Sequence, residues 1–396
     1  MNKIEIIFWI SILVVAYTYV GYGMLLYILV RIKRLFSIEN ESSSLSIYQP
    51  EVTLLIAAYN EKDFVEQKVL NSQNINYPKD KLHQIWVTDG SDDGTPGLLE
   101  KYPNIKVLHK DERNGKIAAI NRAMKYVNTP LVVFSDANTV LSKNSIKKIV
   151  ELFADDKTGC VSGEKRIINN SKDRAAGAGE GIYWKYESAL KKWDAELNTA
   201  VGAAGELFAV RTELFNEVEK DTLLDDFIIS LRIAMKGYKI AYNPEAYAME
   251  NASANVKEEL KRKIRIAAGG LQSIFRLLPL LNIFRYRLLS IQYISHRVLR
   301  WTLAPALLPI IFIANMLLMQ TSQFYSVLAI LQLFFYFLVM IGSIFQSKQL
   351  KLKFLFVPYY FFIMNYAVYQ GLIRFLRNSQ SVNWELRNDA FLLSNS

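Results

Sequence analysis

Cysteine is almost absent: the 396-residue chain holds only Cys160. An intramolecular disulfide and a thiolate cluster for structural zinc are therefore excluded, and a reducing, cytosolic setting suits the polar part of the chain. No G-x-G-x-x-G follows an apolar run and no Walker loop occurs. Hydride transfer from a dinucleotide and P-loop ATP hydrolysis lose their main support. Internal repeats and low-complexity tracts are also missing. Basic and aromatic residues do not interleave as in nucleic-acid modules. The net charge of +10 is therefore not read as a nucleic-acid partner.

Hydrophobic residues make up 51% of the chain and charged residues 21%, with a mean hydropathy of +0.11. That mixture excludes both a disordered chain and a carrier embedded entirely in lipid. The apolar residues are clustered. Residues 6–30 carry no charge, long enough for a helix to cross ~30 Å of hydrocarbon. They are too long for a signal peptide and lack a small-residue cleavage site. Three more uncharged runs follow at 301–319, 324–345 and 354–373. Arg31, Lys33 and Arg34 place the far end of the first run in the cytoplasm, so residues 50–275 are expected there too. The last run contains Pro358, Asn365 and Gln370. It reads either as a third late span or as a re-entrant segment that leaves Arg374, Arg377 and Arg387 cytoplasmic.

The expected organisation is an anchor over 1–35, a Ser-rich linker over 36–50 and an α/β domain over 51–275. An interfacial amphipathic helix over 276–300, a transmembrane region over 301–375 and a tail over 376–396 complete it. Within the α/β domain, residues 52–57, 85–88, 105–108 and 131–134 read as buried strands. Residues 61–72, 115–127 and 145–153 read as the helices between them. Such alternation predicts a parallel, doubly wound sheet.

Ligands bind such sheets outside the carboxyl ends of the strands, and those ends are acidic here. The first runs into Tyr59-Asn60-Glu61, the second into Asp89-Gly90-Ser91-Asp92-Asp93, and the fourth into Asp136-Ala137-Asn138. Three acidic turns at one edge repel unless they face a cation or hydrogen-bond donors. Asp225 and Asp226 open an apolar-periodic helix, where the dipole favours ionised carboxylates; on the residues alone they read equally as a helix cap. Tyr183, Trp184, Tyr186 and Trp193 suit stacking on sugar rings, though aromatics at this spacing also build cores. Residues 261–265 read as a basic face beside the membrane.

The motifs AAYNE, VTDGSDDGT, NGKIAAIN, FSDAN, GELFAVR, LDDF and RKIR occur in that order. The chain resembles the family 2 glycosyltransferases, in the membrane branch that includes cellulose, hyaluronan, chitin-oligosaccharide and poly-N-acetylglucosamine synthases. The resemblance implies a GT-A fold, a Rossmann-like mixed sheet, as the cytoplasmic domain, joined to transmembrane helices. It implies a UDP-sugar donor and inversion at the anomeric carbon. Tyr59, Glu61, Asp89 and Ser91 would then hold the uridine, with Lys116 beside the nucleotide. Asp136 and Asn138 would hold Mg²⁺ or Mn²⁺ on the diphosphate, and Asp226, with Asp225 beside it, would be the base. Arg262 and Arg265 would face the leaving diphosphate. On the residues themselves, Gly205, before Glu206, lets backbone approach an acceptor, and Trp184 suits stacking on its sugar ring. Two positions depart from the family pattern. Asn138 replaces a second aspartate, and Ile266 stands where the synthases have an acceptor-contacting tryptophan.

The expected function is inverting sugar transfer to a membrane-associated glycan, polysaccharide or lipid-linked acceptor. It would take place at the cytoplasmic face of the cell (inner) membrane, by a multi-pass protein in contact with the bilayer. Ile266 and the apolar spans favour short products over extrusion. A processive synthase that extrudes its product is the alternative enzyme reading, and an inactive scaffold subunit of an export complex the alternative from another class. Homo-oligomerisation is left open.

Overall fold

A computed structural model describes residues 2–36, 48–168, 176–251, 256–347 and 353–377. The chain divides into two compact units. One is built from Lys33–Ile168 and Lys191–Ala254, the other from Met1–Ile32, Asn169–Leu190 and Asn255–Ser379.

The first unit is an eight-stranded sheet with strands β1 (Val52–Ala58), β2 (Leu82–Asp89), β3 (Ile105–Lys110), β4 (Leu131–Asp136), β5 (Val140–Leu141), β6 (Thr158–Ile168), β7 (Leu207–Arg211) and β8 (Lys239–Asn251). Their spatial order is β3-β2-β1-β4-β7-β6-β8-β5. All seven residues of β1 are buried, as a central strand covered on both faces requires. Val52, Leu54 and Ile56 pack with Val65, Val69, Trp86, Leu99, Leu131 and Val133. β1 to β4 and the helices Lys62–Gln73 and Lys116–Met124 fall where apolar runs and helical periodicity put them, within a few residues.

The second half of the sheet is where the alternation misleads. β7 runs antiparallel to both β4 and β6, and β5 antiparallel to β8. The sheet is therefore mixed, as the resemblance implies, and not the purely parallel one that strand-helix alternation predicts. β5 to β8 are not among the strands read from the sequence, although β7 is a short apolar run, Leu207–Val210. β8 contains Pro244 and several polar residues, and β6 turns from GCVSG to EKRII.

Register decides what meets at one edge. Ala58 pairs with Thr88, and Ala57 with Asp136, in parallel. The chain therefore leaves β1, β2 and β4 at one level, with Tyr59, Asp89 and Asp136 side by side. β7 runs the other way and enters the sheet at that level, Leu207 opposite Ser135. Gly205 and Glu206 arrive at the same edge from the opposite direction.

In the second unit, Lys3–Phe36 and Gln323–Ile344 are, among the described residues, long and apolar enough to cross a membrane. A bent pair, Leu288–Trp301 and Leu303–Leu318, meets at 53° and counts as a third if it forms one span. The helix Lys3–Phe36 carries a π-helical turn at Tyr17–Gly21, and Phe8 packs among Ile311, Ala314, Leu318 and Tyr325. The helix Lys353–Leu376 runs through Pro358 without turning back. Residues 278–301 form short helical pieces interrupted at Arg287, whose φ is +48°. The buried Glu187 carboxylate lies 2.6 Å from Arg297 and 3.0 Å from Arg300, an ion cluster with no sign in the hydropathy pattern.

Candidate active site

One side of the candidate site is assembled from the ends of β1 and β2. Asn60 sits at φ +51° and exchanges hydrogen bonds with Asp92. Its side-chain amide donates to Asp92 Oδ1 at 2.8 Å, and its Oδ1 accepts from the Asp92 N–H at 3.0 Å. Its backbone N–H donates to Ser91 Oγ at 3.1 Å, and that of Glu61 to Thr95 Oγ1 at 3.0 Å. Asp93 accepts the N–H of Lys62 at 3.0 Å. Partial burial disfavours its charge, but bonds from Thr95 and Lys62 outweigh this and hold its carboxyl below the usual range. The Arg113 guanidinium lies 3.9 Å above the Tyr59 ring.

Asp89 is buried at the end of β2. Its Oδ2 accepts the N–H groups of Asn114 and Gly115 at 2.8 and 2.6 Å, and its Oδ1 is buried without a hydrogen-bond partner. Gly115 has φ +90°, a conformation that side chains rarely adopt. It turns the chain so that the next residue, Lys116, opens a helix and reaches the sheet edge. A cavity of about 350 Å³ lies on the other side of Asp89, between Lys110, Asn114, Arg122 and Glu217, and neither Lys116 nor Asp136 lines it.

Lys116 joins the two sides of the site. Its Nζ lies 2.6 Å from Asp136 Oδ1 and 3.8 Å from Asp225 Oδ2. Burial works against its charge, but the carboxylates of Asp136, Asp225 and Asp226 outweigh it and raise its pKa above the usual lysine value. Asn138 is half-buried in the turn after β4.

Asp225 and Asp226 begin the helix Asp225–Met235. Burial raises the Asp226 carboxyl to about 7, with the charges of Asp225 and Glu206 adding to the shift and Lys116 opposing it. A Cβ at Gly205 would come within 3.3 Å of Asp226 Oδ2. The glycine therefore lets the β7 corner lie directly against the carboxylate. Ser230 Oγ donates to the Asp226 carbonyl at 2.6 Å and accepts the Ala203 N–H at 3.0 Å, fixing that corner to the helix. Glu206 lies 2.6 Å from the buried Lys165, which also pairs with Glu250.

Tyr59, Glu61, Asp89, Ser91, Lys116, Asp136, Asn138, Gly205, Glu206, Asp225 and Asp226 thus belong to one unit and one edge of its sheet. Arg262, Arg265 and Trp184 belong to the other unit. There Arg262 pairs with Glu259 at 3.2 Å, and Lys263 lies 5.3 Å from the Trp184 ring centre. Reading the motifs missed Lys68, Lys165 and Ser230. Lys68 did leave a signal. It stands in the buried stripe Phe64, Val65, Lys68, Val69, Ser72 of its helix, where a charge is out of place. Burial lowers its ammonium to about 7, against the opposing pull of Asp136.

The family described as "Glycosyltransferase like family 2" matches residues 50–269. This chain belongs to that family. The chain is 29% identical over 238 residues to a poly-beta-1,6-N-acetyl-D-glucosamine synthase of Staphylococcus aureus (strain MSSA476), covering 57% of this chain and 56% of the relative. It is 28% identical over 244 residues to the probable glycosyltransferase YdaM of Bacillus subtilis (strain 168), covering 58% and 57%. It therefore spans a little over half the length of these relatives. Among solved structures, the mannosyltransferase PcManGT from Pyrobaculum calidifontis, in complex with GDP-Man and Mn²⁺, aligns with a TM-score of 0.69. That match covers 94% of this chain and all of the other at 22% identity, a likeness of fold. The chain accordingly has a GT-A fold and, among the described residues, two or three apolar helices that could span a membrane.

Proposed function

We propose that the chain is an inverting glycosyltransferase that moves a sugar from a UDP-sugar onto a membrane-associated glycan, polysaccharide or lipid-linked acceptor. The reaction takes place at the cytoplasmic face of the cell membrane, which the chain crosses more than once. One observation carries the reading. At one sheet edge, Lys116 bridges Asp136 and Asp225, next to an Asp226 whose pKa is raised to about 7.

In this reading, Asp89 and Ser91 hold the nucleoside beside Tyr59 and Glu61, and Lys116 sits where the diphosphate gains charge on leaving. Asp226 accepts the proton of the acceptor hydroxyl, whose oxygen attacks the anomeric carbon opposite the departing diphosphate. A base with pKa near the working pH suits that proton transfer. Gly205 and Glu206 face the acceptor. Asp136 and Asn138 offer oxygen ligands of the kind Mg²⁺ and Mn²⁺ take. Among the described residues, no group of three or more His, Cys, Asp or Glu could hold a metal alone. Asp136 and Asn138 would give such a cation two oxygen ligands at the edge where Lys116 also meets Asp136. Such a cation supplies charge neutralisation on the leaving diphosphate.

Membranes containing the protein, given a panel of UDP- and GDP-sugars with Mn²⁺, test the reading through release of nucleoside diphosphate and growth of product. Turnover confined to a UDP-sugar supports it; no turnover, or turnover of GDP-sugars alone, overturns it. The likeness to a poly-N-acetylglucosamine synthase favours a second reading, a processive synthase. In lipid vesicles with excess primer, long polymer would establish that alternative, and primers lengthened by a few sugars the first.

A further inference from the structure

We propose that Lys68 is a positioning residue that holds the donor side and the base side of the site in register from underneath. The inference rests on the glycosyltransferase reading of Asp136 and Asp226. Lys68 is 1% exposed. Its Nζ donates to Ser135 Oγ at 2.8 Å, to the Thr139 carbonyl at 2.8 Å and to Thr139 Oγ1 at 3.1 Å, so all three ammonium protons have acceptors. Those acceptors flank Asp136, Ala137 and Asn138. Thr139 Oγ1 in turn donates to the Asp136 carbonyl at 2.9 Å, which closes the turn on itself.

The second connection leaves through Ser135. With its lone pairs facing Lys68, Ser135 Oγ donates to the Glu206 carbonyl at 3.2 Å. Glu206 follows Gly205, the residue packed against the Asp226 carboxylate. One buried ammonium thus braces the turn offering Asp136 and Asn138, and the corner supporting Asp226. No carboxylate accepts a bond from Lys68, so burying its charge costs stability that a methionine of similar length would not. The return is geometric. Groups that orient ligands from behind typically change metal affinity by about 10- to 100-fold when removed.

The test is Lys68→Met in the full chain, purified in detergent. Hydrogen exchange of the ligand-free protein should show amides 136–139 and 206–208 exchanging about tenfold faster or more, with those of β1 and β2 unchanged. UDP binding in the presence of Mn²⁺, measured by calorimetry, should weaken by about tenfold. Unchanged exchange at both segments, or an equal rise throughout the sheet, would overturn the proposal. Failure of the wild-type protein to bind UDP with Mn²⁺ would instead count against the glycosyltransferase reading, while the exchange data still decide the role of Lys68. Should Lys68→Met not fold, two milder variants decide. Ser135→Ala should loosen 206–208 and Thr139→Val should loosen 136–139; if each leaves its segment protected, the proposal falls.

Discussion

Asp136 and Asp226 reach the same edge of the same sheet and meet opposite surroundings. Asp136 ends a parallel strand with an ammonium 2.6 Å away. Asp226 opens a helix beneath an antiparallel corner, where burial, Asp225 and Glu206 lift it to about 7. The residue type is shared, so the division of labour comes from neighbours alone, as with other paired carboxylates pushed apart by environment. The parallel half of the sheet supplies a carboxylate already matched to a cation. The helix beside the antiparallel β7 carries one whose pKa is raised to about 7, the group proposed to take up a proton.

The sharpest way to break this contrast is Asp226→Asn. An amide accepts no proton, and transfer should fall by about 10²- to 10⁴-fold, with UDP-sugar binding retained; activity within tenfold of wild type would remove Asp226 as base. The wild-type pH profile comes next. The base must be ionised, so kcat should decline as pH drops through about 7, roughly tenfold per unit at the acid end. A flat profile between pH 5 and 8 would contradict the assignment.

Lys116→Met sharpens the comparison by acting on both carboxylates. Its charge favours ionised Asp226, so its loss should move the acid limb to higher pH while the KM for the donor rises; a limb moved to lower pH would reverse the assigned sign. Gly205→Ala places a methyl 3.3 Å from Asp226 Oδ2. It should lower kcat by about tenfold, as small misplacements do, without changing the donor KM. The smallest effect belongs to Glu206→Gln. Removing a charge that raises the Asp226 pKa should shift the acid limb down by less than about one unit.

The two halves also differ in how far their sequence discloses them. β1, β2 and β4 are apolar runs that stop abruptly at acidic turns, and each turn marks where its strand leaves the sheet. β6 and β8 mix charged and apolar residues, so neither periodicity nor length announces them. Asp225 and Asp226 were visible as a helix opening. Their nearness to Asp136 depends on β7 entering antiparallel beside β4, a pairing between residues some seventy apart in the chain. Lys68 showed only as a charge in a buried helical stripe and Lys165 not at all, because their partners come from distant parts of the chain. Arg262 and Arg265 were assigned through the resemblance alone and Trp184 from its aromatic stretch, since a basic stripe and a helical aromatic read equally as surface and core.

The bond pattern of Asp89 has a consequence for how such a chain tolerates change over time. One of its oxygens is committed to the backbone N–H groups of residues 114 and 115, and the other accepts nothing. Asparagine could keep the committed oxygen in place, and with it the fold. It would then turn an NH₂ group to where a bare acceptor now stands. A single-nucleotide change at this codon would leave a well-folded protein whose demand on its ligand is inverted, from donor to acceptor. On the proposed reading of the site, drift at Asp89 would therefore be felt as altered choice of nucleoside before it was felt as lost stability.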